Sequence, residues 1–588
     1  MKFTHRPRRS LLLVLLVILF GACQQPQQPT ATPEPEQTRE RVVGTRGGSV
    51  KYRLEAPPKT LNYLMASDVS SLVVSFYLLG GRLVEFNHDE QRYIPSIAES
   101  WKLNEDGRTV EVLLRDGLKF SDGQALTTED VAFTFRALYD ERTASPLFRD
   151  AMLIGGRPIE VSVTDARNLR LTFPEFVAAP ENYLSNLAVL PRHKLEESFK
   201  NGTLRDAYAL TSDPQSIVIA GAFTVESVQP GERVTFKRNP NYWKKDSAGT
   251  QLPYLDSLTV EVVSDANNAV TRLQQNALDV VDRVRPTDYA TLRTAQGSIL
   301  AFDNGPGLNT DHLWFNLNPG AANNKSYVEP TRLAWFNDVR FRRAVAHAID
   351  REAIASSTLQ GLATPLYGFV SPGNRAWGAS DVPKIEYDLE KSRALLREAG
   401  FESRGSGDAP ELFDAKGNRV EFTLIVQAEN EPRVKMATVI QEDLAQLGIR
   451  MHVAPIETGE LTRRISQSFD YEAALFGTAV SEPDPSSYTN FLRSNSATHQ
   501  WFPKQAVPAT EWERRVDELV LMQSRERDVE RRKAIFRDVQ IILAEQMPIV
   551  PIVARHVATA ANKRIGNYRP STVIPFSLWN VEELFLRQ

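Results

Sequence analysis

The sequence predicts an α/β fold in which hairpins and parallel strands alternate with amphipathic helices. Three stretches carry that prediction. Residues 221–243 read as a β-hairpin: Phe223 and Val225 alternate with Thr224 and Glu226, Pro230 and Gly231 supply a turn, and Val234 and Phe236 alternate with Arg233, Thr235 and Lys237. Phe422, Leu424 and Val426 give a strand, and Met436, Ile440, Leu444 and Leu447 give a helical face that ends at Gly448. Ile449, Met451 and Val453 give the next strand. Strand, helix, strand at this spacing is a βαβ unit with a right-handed parallel crossover. Leu313, Trp314, Phe315 and Asn316 read as a further strand, and Asp338 is placed to cap a helix with Val339, Phe341, Val345, Ala348 and Ile349 facing inward.

The chain opens with a targeting segment. Lys2, Arg6, Arg8 and Arg9 form a basic start, residues 11–20 are uninterrupted apolar, and Gly21 and Ala22 are small residues before Cys23. That order is a secretory signal, and the apolar run is shorter than the about 20 residues of a membrane span. Cys23 is the only cysteine among 588 residues, so no intramolecular disulfide can form and stability must come from the core. Cleavage before Cys23 would remove four basic residues and no acidic one, taking the net charge from −4 to −8. That balance argues against nucleic acid as a partner. Residues 24–46, rich in Gln, Pro, Thr and Glu, cannot bury a core and read as an extended linker.

Beyond the linker, Val50 and Tyr52 alternate as a first strand. Asp106 and Gly107 form a hairpin turn, followed by the alternating Val110, Val112 and Leu114. Thr127 with Asp130 makes a capping box for a helix whose face is Val131, Phe135 and Leu138. Val260 and Val262 read as a strand, residues 271–277 as a helix, and Leu278 to Val281 as the start of a parallel strand. Asp388 caps a helix that Gly400 ends, and residues 512–546 are mostly helical and heavily charged.

Catalytic chemistry is not signalled. There is no G-x-S-x-G, P-loop, H-E-x-x-H or G-x-G-x-x-G, and a triad assembled from distant residues stays open. The eight histidines are scattered without zinc-like spacing, and His193 reads as a structural histidine without a partner ligand. No cofactor and no metal are expected. Arg340, Arg342 and Arg343 could suggest a phosphate site, but no Gly-rich loop precedes them, so they read as a solvated helix face.

Several stretches resemble the family 5 extracellular solute-binding proteins, the oligopeptide, dipeptide and nickel receptors of ABC importers. The hairpin with its exit Arg238-Asn239-Pro240-Asn241-Tyr242-Trp243 is one. Phe120-Ser121-Asp122-Gly123 leading to Thr127-Thr128-Glu129-Asp130-Val131 is a second, and Val339 to Val345 with Ala348-Ile349-Asp350-Arg351 is a third. Leu19-Phe20-Gly21-Ala22-Cys23 resembles a bacterial lipobox, whose thiol is lipidated. The family resemblance implies a two-lobed periplasmic-binding-protein-like fold with an extra subdomain in lobe I. It implies a lipoprotein signal peptide at 1–22 and a linker at 23–46. Lobe I would take 47–82, 213–307 and 554–588, with its subdomain at 83–212, and lobe II would take 308–553.

It also implies capture rather than catalysis. A monomer, lipid-anchored outside the cytoplasm, would bind a peptide or other small polar solute between its lobes and deliver it to ABC permease subunits. In peptide-binding members the loop matching residues 470–485 carries an aspartate that pairs with the ligand's α-ammonium. Here that position is Ala479, the usual tryptophan is Phe476, and Glu482 and Asp484 lie nearby. An oligosaccharide ligand therefore stays open beside a peptide, with Trp314, Trp377 and Trp501 as stacking surfaces or core. The ligand-binding residues so implied are Leu61, Asn62, Trp314, Phe476, Gly477, Thr478, Ala479, Glu482 and Trp501. A secreted hydrolase or a sensory lipoprotein on the same fold are the alternatives.

Overall fold

The computed structural model describes Met1 and residues 41–587 apart from 296, 323, 406–409, 479 and 481. The signal segment, Cys23 and most of the linker lie outside the described residues, as does Ala479. Met1–Glu40 and Arg41–Gln588 form separate units, and only the second is described below.

Two strands organise this body. Ile299–Phe315 and Ile549–Asn562 are 17 and 14 residues long, against a usual 5–6. They pair antiparallel along their length, from Ile299 opposite Asn562 to Trp314 opposite Ile549. An eleven-stranded sheet runs through them. At one end, Val280–Val281, Ser49–Leu54, Ser257–Val262 and the hairpin Phe223–Gln229/Arg233–Arg238 extend the sheet. At the other, Ala473–Thr478, Glu421–Gln427 and Arg450–Ile456 do so. Each half packs its own core. Val50, Phe120, Phe223, Phe236 and Val260 are buried in the first, and Phe315, Phe341, Phe422, Ile440 and Leu475 in the second.

The local readings explain why these elements form. Thr127 and Asp130 complete a capping box for the helix Thr128–Tyr139, satisfying orphan amides at both ends of the motif. Asp338, Asp388 and Asn430 accept from backbone amides at the starts of Val339–Ala348, Leu389–Glu398 and Glu431–Ala445. Gly231 turns the hairpin at φ +80°, open to glycine without strain. Glu421–Gln427 and Arg450–Ile456 pair parallel across the helix Glu431–Ala445. Residues 98–172 also form a separate four-stranded antiparallel sheet, Ala98–Leu103, Thr109–Leu114, Asn168–Thr172 and Glu160–Val163.

One expectation fails. Arg342 does not sit on a solvated face: it is 3 % exposed. Its guanidinium donates to the carbonyls of Phe336, Gln546 and Met547, where two helices end and leave acceptors unpaired. Arg351 is buried in the same way, donating to Pro551, Ala346 and Ile349. Burial pulls both guanidinium pKa values down to about 10, so both stay charged at neutral pH. These arginines close helix ends and bind no phosphate. Arg342→Ala is expected to destabilise the protein by about 2–4 kcal/mol, because three buried carbonyls lose their donor. Exposed Arg531→Ala on the neighbouring helix should change stability by less than about 0.5 kcal/mol. Urea unfolding of both variants measures the difference.

Candidate functional site

Strand direction locates the crevice. Ile299–Phe315 runs from the first core to the second, and Val280–Val281 runs the same way because both oppose Ile549–Asn562. Ser49–Leu54 and Ser257–Val262 run parallel to Val280–Val281. Ala473–Thr478 opposes Ile299–Phe315, so it and the parallel Glu421–Gln427 run back toward the first lobe. The carboxyl ends of both strand sets thus face each other across the middle of the two long strands. In open α/β sheets, ligands bind outside such carboxyl ends.

The floor between these edges is irregular. Register shifts fall between Asp303 and Pro306, between Pro306 and Thr310, and between Asp311 and His312. Pro306 has no amide to donate, and Gly305 takes φ +82°. Just beyond, Asp311 is 2 % exposed and held by two arginines. Arg433 Nε donates to its Oδ1 at 2.6 Å, and Arg555 donates through Nε to Oδ2 at 2.5 Å and through Nη2 to Oδ1 at 3.2 Å. Burial would raise the Asp311 carboxyl, but Arg555 and Arg433 outweigh it and hold the pKa below the usual range. Arg433 stands in the first turn of its helix, and Arg555 comes from the return strand. Asn430 caps that helix and accepts from Arg555 Nη2 at 3.3 Å. Arg433 also lies 4.6 Å from the Phe476 ring centroid.

Gly477 makes this possible. A Cβ there would lie 2.4 Å from Arg433 Nη2 and 2.9 Å from the Thr310 carbonyl oxygen. Phe476 and Gly477 are therefore placed at the crevice floor. Thr478 is 2 % exposed and turns to His312, 3.3 Å from its Nε2. His312 in turn meets Gln500 Oε1 at 2.7 Å, and burial lowers its pKa to about 4, leaving it neutral.

The first lobe's edge repeats the pattern of a carboxylate shared between arginines. Glu55, directly after Ser49–Leu54, pairs with both Arg53 and Arg283. Asp282 beside them accepts from Tyr52 Oη at 2.5 Å and from Ser577, and burial raises its pKa to about 6 against those hydrogen bonds.

Other expected site residues lie elsewhere. Leu61 and Asn62 are buried inside the first lobe. The Asn62 side chain accepts from the Leu64 amide and donates to the Leu204 carbonyl, fixing a turn. Trp314 and Trp501 are 0 % and 1 % exposed. Their indole N–H groups donate to Tyr471 and Glu513, so these rings complete the second core and offer no stacking face. Half-buried Trp377 has Arg532 over its ring at 4.8 Å. His193 meets Asp122 at 2.8 Å. Among the described residues, no group of three His, Cys, Asp or Glu could hold a metal ion.

One chain of contacts has the geometry of a nucleophile, base and orienting acid. Thr364 Oγ1 lies 2.7 Å from His556 Nε2, and His556 Nδ1 lies 2.8 Å from Asp303. His556 directly follows Arg555 on an extended strand, so the two side chains take opposite faces. The chain is thus on the face away from the Asp311 cluster.

Asp311, Arg433 and Arg555 carried no sequence motif. A buried charge demands partners, and Asp311 beside the apolar Leu313, Trp314 and Phe315 was the available signal.

A family model for bacterial extracellular solute-binding proteins, family 5, matches residues 92–500. The chain belongs to that family. Among family relatives, a probable ABC transporter-binding protein of Deinococcus radiodurans is 28 % identical over 95 % of each chain. The dipeptide-binding protein of Escherichia coli is 25 % identical over 90 % of this chain and 93 % of its own. The structure of the substrate-binding protein CtaP from Listeria monocytogenes superposes with a TM-score of 0.74 at 21 % identity, covering 92 % of this chain and all of that one. The oligopeptide-binding protein AppA of Bacillus subtilis, solved with a nonapeptide, gives 0.65 at 24 % identity over 93 % of this chain and all of its own. The two-lobed fold is that of these family 5 proteins.

Glu482 joins the family's two lobes. Tyr93 Oη donates to Glu482 Oε2 at 2.9 Å, beside Asn182 Nδ2 donating to Ser486 at 2.9 Å. Burial raises the Glu482 pKa to about 7. Tyr93, Ser185 and Asn186 oppose the rise, and Asp484 adds to it. A raised carboxyl favours the folded state while protonated, and this contribution is lost as pH climbs from about 4.5 through about 7. Glu482→Gln is expected to flatten the pH dependence of the melting temperature in that window and to raise it by about 1–3 °C at pH 8. Thermal scans at pH 5 and 8 provide the check.

Proposed function

We propose that this protein is the substrate-binding lipoprotein of an ABC importer, capturing a polar solute, with a peptide as the leading class, between its lobes. The observation that carries this reading is the pair of long strands: they are the chain's two passages between the cores, and both carboxyl edges open onto their irregular middle. A solute touching both edges binds the closed arrangement better and shifts the population toward it. The closed form then presents the solute to permease subunits in the membrane.

We place lobe I at 47–82, 213–307 and 554–588, its subdomain at 83–212 and lobe II at 308–553. A lipid on Cys23 would hold the monomer outside the cytoplasm. Peptide is favoured because relatives are named dipeptide- and di/tripeptide-binding proteins and AppA was solved with a nonapeptide. Burial of Trp314 and Trp501 removes two of the three rings an oligosaccharide could have used.

Purified mature protein should be stabilised by its solute by about 2.7 kcal/mol at a hundredfold excess over Kd, and mass spectrometry should recover the solute unchanged. Consumption of the solute would overturn the receptor reading. Cys23→Ser should move the protein from the membrane fraction to the soluble fraction after cell lysis.

A further inference from the structure

We infer that the rim between the lobes is a proton-gated clasp: Tyr93 and Asn182 of the first lobe grip Glu482 and Ser486 of the second, hold the lobes together without a solute while Glu482 is protonated, and let go when it ionises. The inference rests on the two-lobed fold and is independent of what the crevice binds.

Placement supplies the first argument. Tyr93 stands on the hairpin of Val84–Asn87 and Arg92–Pro95 and packs against the first core. Asn182 lies in the helical turn Glu181–Leu184, whose Tyr183 packs there too. Glu482 and Ser486 follow the strand Ala473–Thr478 and lie between Val480 and Tyr488 of the second core. The bonds from Tyr93 to Glu482 and from Asn182 to Ser486 therefore cross from one core to the other. Two further contacts cross as well. Gln91 Nε2 donates to the Gly373 carbonyl at 3.2 Å, and Arg527 donates to the carbonyls of Asn104 at 2.9 Å and Glu105 at 3.0 Å. The chain makes each of these contacts by itself.

A count of hydrogens supplies the second. Tyr93 Oη has one hydrogen and two oxygen neighbours, Asn182 Oδ1 at 2.8 Å and Glu482 Oε2 at 2.9 Å. Asn182 Nδ2 is turned to Ser486, so its Oδ1 can only accept. All three contacts are hydrogen bonds at once when Glu482 carries a proton and donates it to Tyr93 Oη, which frees the phenol hydrogen for Asn182. An ionised Glu482 takes the phenol hydrogen itself and leaves Asn182 Oδ1 without a donor.

The surroundings supply the third. Arg532 is paired with Asp484, and Arg82 with Glu85. Among the described residues, no cationic side chain forms an ion pair with Glu482. Ser185 and Asn186 bring neutral groups, Tyr77 and Tyr93 are phenols held neutral by burial, and Asp484 repels a second carboxylate. Burial and then Asp484 raise the Glu482 pKa from 4.5 to about 7. Closing the clasp thus takes up a proton, and its contribution is lost as pH climbs through about 7.

Distances between spin labels test the clasp. The labels sit on Glu160→Cys in the first lobe and Glu530→Cys in the second, both exposed. The mature chain carries Cys23→Ser and is freed of retained solute by unfolding in urea and refolding. The open-to-closed ratio is expected to rise about 10- to 30-fold from pH 5.5 to pH 8. Glu482→Gln, whose amide donates without titrating, should stay closed at both pH values. Tyr93→Phe should be as open at pH 5.5 as the unaltered clasp is at pH 8. Arg527→Ala should raise the open fraction and keep the pH response. An unaltered clasp whose distance ignores pH would overturn the gate, and that comparison needs no clasp variant. A full pH response in Glu482→Gln would overturn the part given to Glu482, and a closed Tyr93→Phe at pH 5.5 would overturn the clasp itself. No solute is present in the measurement, so none of these results bears on the receptor reading.

Discussion

The two lobes form one sheet only because a single pair of strands runs through both. Hydrogen bonds between Ile299–Phe315 and Ile549–Asn562 are regular at either end and slip three times in between. Bending therefore concentrates where the ladder is already interrupted. Elsewhere each strand is locked by neighbours on its own sheet and by side chains of its own core. Hinge and crevice floor are thus the same few residues. Arg555 stands on the flexing strand itself, and Arg433 on a helix carried by the second lobe. Any solute that reaches both also restrains the bend.

The arginines divide by what they bond. Arg342 and Arg351 are surrounded by carbonyl oxygens at the ends of helices and loops, neutral acceptors that hold both side chains inside the fold. Arg433 and Arg555 share one carboxylate, which fixes their orientation without exhausting them. In sequence none of the four shows which acceptors it will meet. The distinction appears only when the acceptors are known.

That contrast explains what could be read beforehand. The hairpin at Pro230-Gly231, the Thr127–Asp130 box and the strand–helix–strand from Phe422 to Val453 were legible because their causes lie within a few residues: turn chemistry, capping and periodicity. The site was not, because its partners are remote. Asp311 meets Arg433 across 122 positions and Arg555 across 244. Trp314 and Trp501 were open to two readings for a physical reason: an aromatic ring has the same side-chain chemistry whether it completes a core or faces a solute. Their indole partners, Tyr471 and Glu513, decide the matter, and neither is near in the repeat of a strand or helix.

The placement of the second long strand has a consequence for how the chain matures. Val280 and Val281 find their sheet partners at Ala560 and Ala561, and Leu578, Val581 and Leu584 complete the first core. The half of the protein that emerges first is therefore the half that finishes last. Its apolar strands wait for the final forty residues, while the second core closes from one uninterrupted stretch, Leu308 to Val553. Late, long-range pairing is slow and leaves apolar surface uncovered meanwhile.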